Sequence, residues 1–306
     1  MNIKNKYLKY IDKNIKNIKE GSNIVIAGPT GSIATYLCYY LAYLKCNMIF
    51  LARNVKLANQ LKSEILNKYD SINIDVYYFD YLDKKSVDDV YEILKNMKID
   101  VFFNNIGIYQ QVRKYYNGFD NILLVNHLMP YYFINNLIRN ENYKSCKFVI
   151  VDSISYLFKK INSKDVFGLK IKNDTLRYGI TKRLLLIYGL YLKDHGVDIT
   201  FTHPGVVKTK LFNTNKTSIT SKIYNFFANI FLSIFMKSDK AALCFLKAID
   251  SDNKDLNKWI GPRGFLHVWG YPNIQKLRKS VFKEKEKIVI NKSDEVIQQI
   301  KDNKIL

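Results

Sequence analysis

The sequence predicts an α/β protein: a doubly wound, mostly parallel sheet of about seven strands with helices on both faces. Three observations carry this expectation. From residue 23 to residue 202, short runs rich in Val, Ile, Phe and Tyr alternate with stretches of helical length. Separators of that length force parallel pairing, because antiparallel neighbours need only a tight turn. The strand runs are mostly apolar, as in strands covered on both faces.

The elements follow in order. Residues 1–20 place Ile3, Tyr7, Tyr10, Ile11, Ile15 and Ile18 at near-helical spacing among lysines, a basic amphipathic helix expected beside the first strand. Residues 23–27 (N-I-V-I-A) are a buried strand, 33–44 a helix and 48–51 (M-I-F-L) a strand. A helix over 55–67 carries Leu57, Leu61 and Ile65 on one face. A strand over 74–79, a helix over 87–97, a strand over 100–103 and a long apolar helix over 121–138 come next. The pattern closes with a strand over 148–151, a helix over 176–192 and a strand over 198–202. Beyond Pro204 two helices are expected, over 223–236 and 240–249, with Trp259-Ile260 as a last strand. No linker interrupts the chain, so the expected organisation is an extension (1–20), one domain (21–282) with a helical lid at about 211–250, and a charged tail (283–306).

Composition bounds the function classes. The 306 residues are 48% hydrophobic, enough for a sizeable core. No run is apolar for the roughly 18 residues that a spanning helix needs, and the N-terminal stretch has no apolar core of a secretory signal. The four cysteines and four histidines are scattered, so neither a disulfide framework nor a metal site is expected, and a cytoplasmic, reducing setting fits. Lys plus Arg number 48 against 27 acids, a net charge of +21. The lysines are spread along the whole chain and form no stripe, which argues against a nucleic-acid partner.

Chemistry concentrates at the ends of the strands, where doubly wound sheets bind ligands. The first strand runs into Gly28-Pro29-Thr30-Gly31-Ser32-Ile33-Ala34 and then a helix. Unpaired amides at such a helix start attract phosphate. The turn lacks the G-x-G-x-x-G pattern, and a tight turn with no ligand is the competing account. The second strand ends in Arg53-Asn54 with no acid, which suits a 2′-phosphate better than a free ribose hydroxyl. Tyr178 and Lys182 lie four residues apart on one helical face, where an ammonium is expected to lower the phenol pKa.

Taken together, these segments resemble the short-chain dehydrogenase/reductase family from about residue 20 to residue 275. Asp80, with Tyr81 after it, resembles the acid that contacts adenine. Asn104-Asn105-Ile106-Gly107 is similar to the family's NNAG motif. Asn126, Ser153, Tyr178 and Lys182 match its catalytic tetrad in order. His203-Pro204-Gly205-Val206-Val207-Lys208-Thr209 resembles the segment that closes over the nicotinamide. Ser153 and Tyr178 are 25 residues apart, and Leu51-Ala52-Arg53-Asn54 is similar to an ACRN segment; both point to the retinol-dehydrogenase-like branch.

The resemblance implies a Rossmann-type fold and NADP(H) in preference to NAD(H). Gly28, Thr30, Gly31, Ser32, Ile33, Arg53, Asn54, Asp80, Tyr81, Asn105, Gly107, Tyr178, Lys182, Pro204, Gly205, Val207 and Thr209 would hold it. It implies hydride transfer to or from a lipophilic aldehyde, ketone or alcohol, with Tyr178 as the proton donor and Ser153 on the carbonyl oxygen. It also leaves room for a homodimer through the long helices. Against the family's TGxxxGIG turn, Ser32 and Ala34 replace glycines, and Asp152 stands where a serine is usual. A catalytically weak NADP-binding scaffold is the alternative these departures support. Phe226, Phe227, Ile230, Phe231, Ile234 and Phe235 suggest an apolar substrate entrance or a peripheral membrane contact.

Overall fold

The computed structural model describes residues 3–109, 112–207, 236–252, 255–256, 258–264, 268–278, 281 and 285–306. Its centre is an eight-stranded sheet. The strands are β1 (Asn23–Ala27), β2 (Asn47–Ala52), β3 (Ile74–Tyr78), β4 (Val101–Asn104), β5 (Lys147–Val151), β6 (Ile199–Thr202), β7 (Lys258–Pro262) and β8 (Pro272–Lys276). Their spatial order is β8-β7-β6-β5-β4-β1-β2-β3. All neighbours run parallel except β7 and β8. The chain winds one way from β1 to β3 and the other way from β4 onward. The carboxyl ends of β1 and β4 are therefore the topological switch point.

The helices are α1 (Asn5–Asn14), α2 (Ala34–Tyr43), α3 (Val55–Leu66), α4 (Lys84–Leu94), α5, α6 (Asp174–Asp194), α7 (Ser238–Asp250) and α8 (Glu286–Lys301). Helix α5 is composite: an α turn Asn121–Leu123, a π segment Leu124–Leu128 and an α segment Met129–Ile138. Side chains alternate across a strand, and β1 shows what that builds. Ile24 and Ile26 join the core beneath α1, α2, α3 and α7. Val25 and Ala27 join the opposite core beneath α4, α5, α6 and α8.

The differences from expectation have local causes. An eighth strand appears because β8, Pro272-Asn-Ile-Gln-Lys276, is an antiparallel edge with Ile274 exposed, so it carries no apolar pattern. Helix α4 starts three residues early, since Asp83 caps it by accepting from Ser86 N–H. Helix α1 packs on α2 and α7 as well as near β1: Tyr7 and Tyr40 bond to Asp239, while Asp250 accepts the backbone N–H groups of Lys16 and Asn17. Within the charged stretch 283–306, α8 packs as a helix and buries Val289, Val296, Ile297 and Ile300. His127 Nε2 and Ser293 Oγ meet at 2.9 Å to tie α8 to α5. The expected lid helix over 223–236 falls mostly outside the described residues, as do Phe226, Phe227, Ile230, Phe231, Ile234, Phe235 and Thr209.

Candidate active site

The site begins with the turn after β1. Gly28 has φ +83°, and a Cβ there would meet Ile106 Cγ1 at 3.2 Å and Asn105 Nδ2 at 3.3 Å. Asn105 Nδ2 donates to the Gly28 carbonyl at 3.0 Å, stitching β4 to this turn. Helix α2 then starts with no side-chain cap. Among the described residues, the N–H groups of Ser32, Ile33 and Ala34 make no backbone bond, which leaves a cradle of donors at a helix N-terminus. Ser32 is exposed on that cradle; Ala34 is buried where α2 leaves the sheet.

Around the rim the predicted residues divide. Arg53 is exposed at the end of β2. Asn54 is the cap of α3, accepting from Leu57 N–H at 2.9 Å. Asp80, half-buried in the loop after β3, accepts the Leu82 N–H at 3.0 Å. Tyr81 does not face a ligand: its ring is 1% exposed and its hydroxyl donates to Asn104 Oδ1 at 3.2 Å. An aromatic after a polar loop residue can point either way, and here the core took it.

The chemistry-bearing residues converge on a cavity of about 370 Å³. Its walls include Ile33, Asn105, Gly107, Ser153, Tyr178, Lys182, Pro204, Gly205 and Val207. Local packing explains the convergence. Ser153 caps a short 3-10 turn, Ile154–Leu157, at the end of β5. Gly179 lets α6 approach that turn closely, since a Cβ there would sit 2.5 Å from the Ser155 carbonyl oxygen. Tyr178, one residue earlier, is thereby brought beside Ser153, which favours its phenolate. Arg177, on the buried side of α6, forms a bidentate pair with Asp120 (Nε to Oδ2 2.7 Å, Nη2 to Oδ1 2.9 Å), which ties α6 to the start of α5.

Lys182 is buried and donates to the Val151 carbonyl at 2.9 Å, with Nζ 5.9 Å from the Tyr178 ring centre. Asn126 lies in the π segment, accepting from Ile108 N–H at 2.8 Å and donating to the Ile108 carbonyl at 2.9 Å. It thus holds the loop carrying Gly107 against Lys182 rather than lining the cavity itself. A π segment is a recurrent mark of functional sites.

The electrostatics correct one expectation. The Tyr178 phenol is pushed up, not down: burial raises its pKa most, the Asp152 carboxylate adds to that, and the Ser153 side chain opposes it. The ammonium expected to lower it is turned toward Val151. Burial pushes Asp152 up to about 7, against the pull of Lys182 and the Ser153 N–H. The same burial lowers Lys182, with Asp152 opposing. Further residues line the cavity without a prior signal, among them Tyr109, whose ring stands edge-on to Tyr178 at 5.0 Å, Thr175, Phe158 and Phe245. Only Thr175, one turn before Tyr178, had a spacing that could have found it.

No protein-family model matches the chain. Among curated proteins it is similar to two chloroplastic short-chain dehydrogenases of Brassica napus, TIC 32 B and TIC 32 A. Each is 26% identical over 212 residues, covering 61% of this chain and 64% of the relative. The chain therefore spans just under two thirds of the length of the curated relatives it matches. These relatives support the short-chain dehydrogenase/reductase family. Solved structures agree on the fold. An uncharacterised protein from Mycobacterium paratuberculosis superposes with TM-score 0.69 at 17% identity, over 94% of this chain and 96% of that one. L-sorbose reductase from Gluconobacter frateurii, complexed with NADPH and L-sorbose, gives 0.60 at 14% identity, over 78% and 93%. A short-chain dehydrogenase from Sphingobium yanoikuyae in complex with NADPH gives 0.56 at 15%, over 75% and 84%.

Proposed function

We propose that the chain is an NADP(H)-dependent oxidoreductase of the retinol-dehydrogenase-like kind, acting on a lipophilic aldehyde, ketone or alcohol. The observation that carries this reading is that one cavity gathers Ser153, Tyr178 and Lys182 with Ile33 from the donor-rich turn. The residues fit a dinucleotide. The unpaired N–H groups at the start of α2 would receive its pyrophosphate. Arg53, exposed with no acid beside it on the strand end, would receive a 2′-phosphate. When bound, the nicotinamide supplies the hydride.

The chain's own residues do the rest. Ser153 donates to the carbonyl oxygen, where charge develops. Tyr178, beside Ser153, passes a proton to or from that oxygen. Lys182, fixed by the Val151 carbonyl, puts a positive charge behind the phenol and reaches toward ribose hydroxyls. Asn126 holds the Ile108 backbone and so the wall beside Lys182. Ile108, Phe158, Val206, Val207 and Phe245 make the remaining wall apolar, which supports a lipophilic substrate. A homodimer, if formed, would not use the bare faces of α5 and α6, because α8 lies across them.

The test is a fluorescence titration with NADPH and, in parallel, NADH. Micromolar NADPH binding, much weaker for NADH, is expected. Arg53→Ala is expected to weaken NADPH by roughly tenfold or more, the worth of one charge-assisted hydrogen bond. No binding of either nucleotide would overturn the reading.

A further inference from the structure

The loops that rim the cavity carry an exposed face that the proposed reaction does not use. One segment is 157–172, between β5 and α6; the other is 112–117, after β4. Arg113 makes them one surface, donating to the carbonyls of Ile171 at 2.7 Å and Lys172 at 2.8 Å and to the Asp174 carboxylate at 2.9 Å. Val112 is 84% exposed there, Tyr115 61% and Phe158 50%, with Leu157 and Leu169 also exposed. Single exposed hydrophobic side chains are ordinary, but a group of them ringed by one sign of charge marks an interaction surface.

The ring is basic. Lys114, Lys159, Lys160, Lys164, Lys170 and Lys172 are all exposed. The acid within these segments, Asp165, has its carboxylate taken by the N–H groups of Leu169 and Lys170. Asp174, next along, is paired with Arg113. The lysine charge on this face is thus left to an outside partner. Phe158 belongs to both the exposed face and the cavity wall, so the face adjoins the cavity mouth.

We propose that this face docks on an anionic lipid bilayer, with Val112, Tyr115, Phe158 and Leu169 entering the headgroup layer and the lysines lying over acidic headgroups. The chemistry fits that partner: apolar tips gain by leaving water at the interface, and each nearby lysine adds attraction to an anionic leaflet. Nucleic acid fits less well, since aliphatic tips such as Val112 and Leu169 offer bases nothing to stack on. Phe158 aside, the residues of this surface take no part in the proposed reaction, so the two readings survive or fail independently.

The experiment is sedimentation of the full chain with phosphatidylcholine vesicles, with and without phosphatidylserine. Binding to the anionic vesicles that weakens with added salt is expected. Lys159→Glu, Lys160→Glu and Lys164→Glu combined should lower the partition coefficient by about tenfold or more. Val112→Ser, Tyr115→Ser and Leu169→Ser combined should lower it as well. The same charge change placed elsewhere, Lys56→Glu, Lys287→Glu and Lys301→Glu, should leave most of the binding. Circular dichroism of each variant confirms that it is folded. No vesicle binding overturns the proposal. So does equal loss in the control variant, which would make the attraction a property of the +21 net charge. Capture of single-stranded RNA by this face, without vesicle binding, overturns it too.

Discussion

The two halves of the candidate site are built in opposite ways. The turn from Gly28 to Ala34 offers backbone donors at the surface, with Ser32 exposed and few side chains committed. The cluster at β5 and α6 buries charged side chains: Asp152 is 2% exposed, Lys182 3% and Arg177 0%. A backbone cradle tolerates changes of side chain that point outward. A buried charged cluster tolerates almost none, because each member is another's counter-charge or hydrogen-bond partner. By this contrast a change at exposed Ser32 should be felt less than a change at Tyr178 or at the Arg177–Asp120 pair.

The sharpest way to break the comparison is at the phenol. Tyr178→Phe removes the proton donor and nothing else, so turnover is expected to fall by about 10²–10⁴-fold. NADPH affinity should hardly move. Retained NADPH oxidation with a carbonyl panel would show that the cluster is structural. The next largest effect lies one residue earlier. Asp120→Asn leaves Arg177 buried without its counter-charge, which costs about 3–5 kcal/mol in urea unfolding. An equivalent change on the open side, Arg53→Ala, should leave the unfolding midpoint in place.

Asp152 sharpens the contrast through pH. Its folded pKa is raised to about 7 from 3.8, so the folded state holds the proton more tightly than the unfolded chain. Protonated, below about pH 4, the group costs nothing by this route. As pH rises toward 7 and above, its burial destabilises the fold, by on the order of 2–4 kcal/mol at most. Asp152→Asn removes that cost and can still accept the Ser153 N–H. The variant should therefore gain stability relative to the parent between pH 5 and pH 8, read as a rising difference in melting temperature. The gain is smaller than the full linkage, because Lys182 loses its nearest carboxylate. A difference that stays flat with pH would mean that Asp152 keeps its ordinary acidity.

The same contrast sets what was legible in the sequence. The sheet could be read because buried strands are apolar runs and the crossovers have helical length; β8 could not, because an edge strand with an exposed Ile274 shows no such run. Ser153, Tyr178 and Lys182 could be singled out only through the family resemblance, since a Tyr and a Lys four residues apart are common by chance; the structure brings the three to one cavity. Tyr81 could not, since the core or the surface can claim an aromatic in a loop, and the choice depends on Asn104 far along the chain. The sign of the Tyr178 shift was also hidden. It depends on where the Lys182 ammonium turns and on the Asp152 carboxylate beside it, both set by tertiary packing.

The smallest expected effect tests the turn itself. Ser32 is exposed beside N–H groups that make no backbone bond among the described residues. If its hydroxyl stands clear of the bound phosphate, Ser32→Gly removes one small polar group and adds backbone freedom worth a fraction of a kcal/mol to about 1 kcal/mol in the unfolded chain. NADPH affinity should then change by less than about fivefold, a binding difference under about 1 kcal/mol. A tenfold or larger gain on removing the hydroxyl would mean that Ser32 obstructs the pyrophosphate. The turn would then be as finely fitted as the buried cluster, and the two halves of the site would not differ in tolerance after all.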